Sequence, residues 1–258
     1  MTLNQRLLVY ESPLSERIRL FLRLEQLFQQ IDHFLEGRNV WDSRAVISRL
    51  LDILTIFSRN DLKSEILKEL ERHSSVLSRI GTNQGVDHNK LESILNELDS
   101  ISQELYGTSG KIGIKLMENE LFKTIAQRSS IPGGTCAFDL PEYHFWLEQN
   151  EQTRHQDLLE WIAPFRPIRK AIDLILLFIR QSSVPTREVA ESGFFQQSLD
   201  HNQSCQLLRV TIDSSMPCFA EISGGKHRFT IRFMCAAKNE RSSQTGDDIE
   251  FLLTRCIF

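Results

Sequence analysis

The chain has 258 residues, 41% hydrophobic and 25% charged, with a formal net charge of −4. That composition is ordinary for a globular protein of one large domain or two modest ones. The slight acidity argues against a dedicated nucleic-acid binder, whose domains are strongly basic. Five cysteines without a Cys-x-x-Cys spacing suggest neither a disulfide framework nor a zinc site, so buried free thiols in a reducing cytoplasm are expected. Residues 1–12 are polar and charged throughout, unlike a signal peptide. The most apolar run, 172–179, is interrupted by Asp173 and flanked by Arg169, Lys170 and Arg180. It falls short of the about 20 apolar residues of a membrane span, so a soluble protein without membrane insertion is expected.

In chain order, residues 6–11 read as a short strand. Ser12 and Pro13 suit an N-cap and first helical position. Leu14, Ile18, Phe21, Leu22, Phe28, Ile31 and Leu35 then follow helical spacing, and Gly37 supplies a stop. A second helix is expected after Ser43, with Val46, Ile47, Leu50, Leu51, Leu54 and Phe57 inward. A third follows Asn60 or Asp61, carrying Leu62, Ile66, Leu67, Leu70, Leu77 and Ile80. A fourth opens at Asp87, with Leu91, Ile94, Leu95, Leu98, Ile101 and Leu105. Short connectors favour antiparallel neighbours. Residues 107–127 look less regular, and further helices are expected over 156–162 and 168–181, separated by Pro164 and Pro167. The polar run 182–192 reads as a linker.

Beyond it the period changes from 3.6 to 2. Runs 206–213, 218–223, 228–235 and 249–257 are alternating or β-rich, with a hairpin loop at Ser223, Gly224, Gly225 and Lys226. Short connections favour an antiparallel sheet with one wet face. The fold class is therefore α+β: an N-terminal strand (1–13) whose pairing with the sheet the sequence leaves open, an α-helical domain (14–182) and an antiparallel β domain (183–258).

The most specific segment runs from Ile131 through Pro132, Gly133, Gly134, Cys136, Phe138, Leu140 and Pro141 to His144, Trp146 and Leu147. Glycines permit positive φ or close backbone approach, and the prolines exclude a continuous helix. Cys136, Phe138 and Leu140 alternate like an extended run, and Pro141 suits a helix start that places His144 beside an apolar surface. A structural turn would use the same residues. On the run 228–233, Arg228, Thr230 and Arg232 share one face, and Phe229, Ile231 and Phe233 the other. Lys226 would extend the first face. At 3.4 Å per residue the two arginines lie roughly 13 Å apart, a spacing suited to a multi-acceptor peptide rather than one small anion. A merely solvated outer face is the alternative.

Arg17, Arg19 and Arg23 form a second basic cluster, which Glu16 and Glu25 could neutralise. Catalytic readings are weak. Cys136 with His144 lacks any nucleophile signature. Cys235 and Arg241 match a bare Cys-x5-Arg spacing without phosphate-cradling glycines. No His-Glu-x-x-His motif, dinucleotide fingerprint or phosphate loop is present, so no cofactor, no metal and no enzymatic activity are expected. A single-stranded nucleic-acid module built on Arg228 and Arg232 is the alternative function, but the strand's own aromatics alternate onto the opposite face.

Residues 130–141, with His144, Trp146 and Leu147, and the Arg-Phe-Thr-Ile-Arg-Phe run 228–233 together resemble the ZapD cell-division family. Tyr10, Glu11, Pro13 and Leu14, Leu50 to Asp52, residues 65–70 and Ile179 to Ser182 extend the resemblance over nearly the whole chain. It implies a cytoplasmic, non-enzymatic homodimer of a helical and a β domain, concentrated at the mid-cell division site. It implies binding to the C-terminal tail of the tubulin-like protein FtsZ and bundling of FtsZ filaments during Z-ring assembly. Family positions proposed to meet that tail fall on Arg23, Arg59, His144, Arg228 and Arg232. Glu120 departs from the pattern, standing where a basic residue is expected after the turn at Lys111 and Gly113.

Overall fold

Local caps and hydrophobic periods explain most elements, and the elements that the sequence predicts are displaced mainly at their boundaries. A computed structural model describes residues 6–59, 61–80, 87–108, 112–200, 204–225, 227–237 and 240–257. Asn60, Lys111, Lys226 and the side chain of Ile80 lie outside the described residues. Contacts divide the chain into two units, Met1–Phe21 with Leu176–Phe258, and Leu22–Ile175. The architecture is α+β, with β1 paired into the C-terminal sheet.

Strand β1 (Leu7–Pro13) leads to helix α1 (Glu16–Glu36). The expected Ser12–Pro13 helix start is corrected: Pro13 ends the strand, opposite Leu207, and the Ser15 hydroxyl accepts from the Ile18 N–H at 3.3 Å. β1 is an edge strand, where a missing N–H breaks no ladder bond on the open side. Helix α2 (Val40–Arg59) starts earlier than expected. Asn39 Oδ1 accepts from the N–H groups of Trp41 and Asp42 at 2.8 and 3.0 Å, whereas Ser43 is buried inside the helix. Helix α3 (Leu62–Ile80) follows Asp61, whose carboxylate accepts from the Ser64 N–H, and α4 (His88–Gly107) is capped by Asp87 as expected.

The stretch 107–127 holds two helices rather than irregular chain: α5 (Ile114–Met117) and α6 (Glu120–Arg128). Gly113 enters α5 with φ of +80°, and a Cβ there would lie 2.4 Å from Leu54. The Asn119 side chain caps α6 by accepting from the Phe122 N–H at 2.9 Å. After α7 (Pro141–Leu147) come α8 (Glu151–Ile162), a 3₁₀ turn (Ala163–Phe165) and α9 (Arg166–Gln181). Pro164 breaks the helical run as expected. Pro167 does not, because it sits in the first turn of α9, where its missing N–H has no helical partner anyway. In Leu22–Ile175, the buried apolar side chains include Phe28, Val46, Leu50, Leu70, Ile101 and Phe165. Each contributes roughly 1.5–3 kcal/mol by leaving water.

The expected linker 182–192 contains strand β2 (Thr186–Ala190), and β3 (Phe194–Ser198) follows it. Then come β4 (Cys205–Asp213), β5 (Cys218–Gly224), β6 (Arg228–Cys235), the short β7 (Ser243–Gln244) and β8 (Ile249–Ile257). They form two antiparallel sheets rather than one, in orders β1-β4-β8-β2 and β3-β6-β5, with β7 also on β6. One buried cluster takes Leu208, Val210 and Leu253 from the first sheet and Ala220, Phe229, Ile231 and Phe233 from the second. The inner faces thus pack together, and period-2 alternation sends the intervening side chains outward.

Candidate partner-binding site

In the unit containing the sheets, β6 presents Arg228 and Arg232 to solvent while Phe229, Ile231 and Phe233 are buried. The hydrophobic sandwich core fixes this sidedness, because a one-residue slip would bury the arginines and expose the rings. Among the described residues neither guanidinium has a hydrogen-bond or ion-pair partner. Register adds neighbours that one strand's sequence cannot supply. Arg232 lies opposite Phe194 on β3 and Glu221 on β5, and Arg228 lies opposite Ser198. The face is therefore not purely cationic. It places Arg232 between an aromatic ring and a carboxylate, with Arg228 opposite Ser198, and opposed residues of a sheet pair hold their Cβ atoms about 4.5–5.5 Å apart. An aromatic on the basic face, absent from the strand itself, enters through Phe194.

In the unit Leu22–Ile175, His144 stands exposed on α7. The preceding segment is a succession of turns, not the expected extended run. Gly134 N–H donates to Ile131 O at 2.9 Å, Cys136 N–H to Gly133 O at 3.1 Å, and Leu140 N–H to Cys136 O at 2.9 Å. Gly133 has φ of +73°, and a Cβ on Gly134 would come within 2.7 Å of Arg128 O. The glycines permit this tight folding, which a β-like ladder would not satisfy. Cys136 is consequently exposed, correcting the expectation that the thiols are buried; Cys205 and Cys235 are half-buried, and all the cysteines are free.

Helix α7 turns Tyr143, Trp146 and Leu147 inward. Trp146 stacks on Tyr143 at 6.0 Å and on Trp161 at 5.2 Å, and its Nε1–H donates to Asp157 at 2.7 Å. Trp146 is only 6% exposed, so it anchors α7 and is not open to a ligand. The open aromatics of this unit include Phe145 (68% exposed), Phe138 (84%) and Trp41 (76%). Arg44 joins α2 to this region: its guanidinium lies 5.0 Å from the Tyr143 ring and 5.7 Å from the Trp41 ring, and donates to Thr135 at 3.3 Å. Burial pushes the Tyr143 hydroxyl up to about 12, only partly offset by Arg44, so it remains protonated at neutral pH.

The C-terminal end of α7 is held by Arg154, a buried cation. It donates to the carbonyls of Leu147, Gln149 and Arg38 and to the Ser43 hydroxyl. Arg59 ends α2 and Arg23 lies on α1; both are exposed, and among the described residues neither side chain has a hydrogen bond or ion pair. Beside Arg59, Ser58 borders a groove of about 490 Å³ whose apolar lining includes Leu51, Leu54, Ile114 and Met117. Glu120 is exposed and paired with Lys123 at 3.1 Å. Arg19 is paired with Glu16 at 3.1 Å, as the charge pattern around it suggests. Phe194, Glu221 and the groove are the features sequence reasoning missed, because each depends on long-range pairing.

Among the described residues no group of His, Cys, Asp or Glu is placed to hold a metal ion, and no helix is long and apolar enough to cross a membrane. A family model described as "ZapD: Cell division protein" matches residues 22–232. The chain is 51% identical over 250 residues to "Cell division protein ZapD" of Methylococcus capsulatus, covering 97% of this chain and 98% of that protein. It is 40% identical over 247 residues to the protein of the same name from Nitrosomonas europaea, covering 96% and 94%. The match to the Chromobacterium violaceum protein of that name is 38% over 250 residues, covering 96% and 99%. With identity of this order over nearly the full length of each protein, the chain belongs to the ZapD family of cell division proteins.

Proposed function

We propose that this chain is a non-enzymatic, cytoplasmic adaptor that binds the C-terminal tail of FtsZ. As a homodimer it cross-links FtsZ filaments into bundles at mid-cell. Membership of a cell-division family supports the setting. The observation that carries the contact is the outward pair Arg228 and Arg232, unpartnered among the described residues. Arg23, Arg59 and His144 are the further contacts, each exposed on the helical unit.

Guanidinium groups grip carboxylates bidentately, and an unpaired arginine gives up no internal salt bridge to do so. Phe194 supplies apolar surface opposite Arg232, and Phe145 supplies it next to His144 on α7. A single site on a flexible tail binds weakly, because ordering the tail costs free energy. Two equivalent sites facing filaments that display many tails gain avidity through effective concentration.

Co-sedimentation with GTP-polymerised FtsZ, intact and lacking its tail, tests the reading. Pelleting with intact FtsZ alone is expected, with bundles visible by electron microscopy. Equal pelleting with both forms would move the contact to the FtsZ globular core. Phe194 beside Arg232 favours one second reading, single-stranded nucleic-acid binding, since base stacking needs an aromatic on the basic face. Retention of single-stranded DNA or RNA in a filter assay, without FtsZ pelleting, would select it.

A further inference from the structure

Two thiols face each other at the open end of the β5–β6 hairpin. Cys218 and Cys235 are direct partners in the antiparallel register, and both pack on the sandwich core. Backbone directions decide which kind of pair they form. Phe233 donates its N–H to Gly193 O at 2.8 Å and accepts at its C=O from the Thr245 N–H at 2.9 Å, so both groups point away from β5. Backbone groups alternate sides along a strand, so Cys235, two residues on, also directs its groups away from β5. The Gly225 N–H donating to Arg228 O at the other end of the hairpin gives the same alternation. Cys218 and Cys235 are therefore a non-hydrogen-bonded pair, the kind with Cα atoms about 4.5 Å apart and side chains closest. A disulfide requires Cα atoms roughly 4.4–6.8 Å apart, so strand geometry already meets the condition.

The other neighbouring thiols do not share this arrangement. Cys205 lies opposite Ile257 and Cys256 opposite Leu207, with an irregularity between Cys205 and Leu207. Cys136 is on the other unit.

We infer that Cys218 and Cys235 form a reversible cross-strand disulfide when the protein meets a peroxide, making the β5–β6 hairpin an oxidation site. Cys235, half-buried, reacts first. Its sulfur attacks one peroxide oxygen, the O–O bond breaks, and sulfenic acid and water form. The Cys218 sulfur then attacks the oxidised sulfur; the S–S bond forms, the S–O bond breaks, and a second water leaves. Two thiols and one hydrogen peroxide thus yield one disulfide and two waters. Burial raises the Cys218 thiol above its ordinary value, and the adjacent Cys235 sulfur adds to this. Cys218, which is 7% exposed, accordingly serves as the resolving thiol rather than the first to react.

The test treats the full chain with hydrogen peroxide, blocks remaining thiols with N-ethylmaleimide, digests without reduction and maps cross-links by mass spectrometry. A peptide joining Cys218 to Cys235 is expected, with loss of two of the five thiols and recovery in dithiothreitol. The link should vanish in Cys218→Ser and in Cys235→Ser, and persist in Cys136→Ser. A link between Cys205 and Cys256 instead would overturn the inference. So would alkylated Cys218 and Cys235 after peroxide, or their conversion to sulfinic acids without a cross-link.

Discussion

Arg154 shows how one side chain fixes the end of helix α7. A buried guanidinium is costly unless its donors are used, and here they serve backbone carbonyls that no helix hydrogen bond satisfies. Arg154→Met keeps the volume but strands those acceptors, and should cost about 2–3 kcal/mol. Urea unfolding would read this as a lower midpoint at unchanged slope. Glu11 sets a second test. Burial alone would raise its carboxyl, but hydrogen bonds and charge from Arg180 and Arg209 outweigh that and hold it below its ordinary 4.5. The fold therefore binds fewer protons there than the unfolded chain does. This contribution is complete above pH 4.5 and is lost as pH falls toward the lower folded value. Stability of Glu11→Gln, followed by thermal melts across acid pH, should fall less steeply through that window than wild type.

At the scale of elements, caps explain most of the displaced boundaries. Asn119→Ala removes the acceptor for the Phe122 N–H and should cost about 1 kcal/mol, measured by chemical denaturation. Helix interiors were legible because a 3.6 period is written in neighbouring residues: Val46, Ile47 and Leu50 are buried as expected. Their starts were less legible, because Ser12, Ser15, Asn39 and Ser43 are all competent caps and the surrounding packing selects among them. Strand β2 was hidden for a different reason. Its exposed Thr186 and Arg187 carry little hydrophobic alternation, and pairing with β8 makes it a strand. In the candidate site, the outward direction of Arg228 and Arg232 was legible from alternation alone. The burial of Trp146 was not, since a two-turn helix has too few residues to fix its phase.

For the whole molecule, the proposed adaptor makes a salt-dependent prediction. Exposed charge contacts are screened over about 8–10 Å at physiological ionic strength, so FtsZ pelleting should weaken steeply with added salt. Arg228→Glu with Arg232→Glu should abolish tail-dependent pelleting while leaving the melting temperature within a degree or two of wild type, because both side chains are exposed. Unchanged pelleting in that double variant would remove β6 from the contact. A variant that is monomeric by analytical ultracentrifugation should still bind the isolated tail but fail to bundle filaments, because avidity needs two sites on one particle.

The sequence by itself determined the α+β class, the helices other than α5 and α6, the strands β1, β4, β5, β6 and β8, and which face of β6 is charged. These follow from periods of 3.6 and 2, which are local. Only the tertiary structure decided that β1 lies beside β4, that two sheets share one core, and that Phe194 and Glu221 flank Arg232. It alone set Cys218 against Cys235. Strand order and register are chosen by burial of the whole apolar face, and no single segment carries that information.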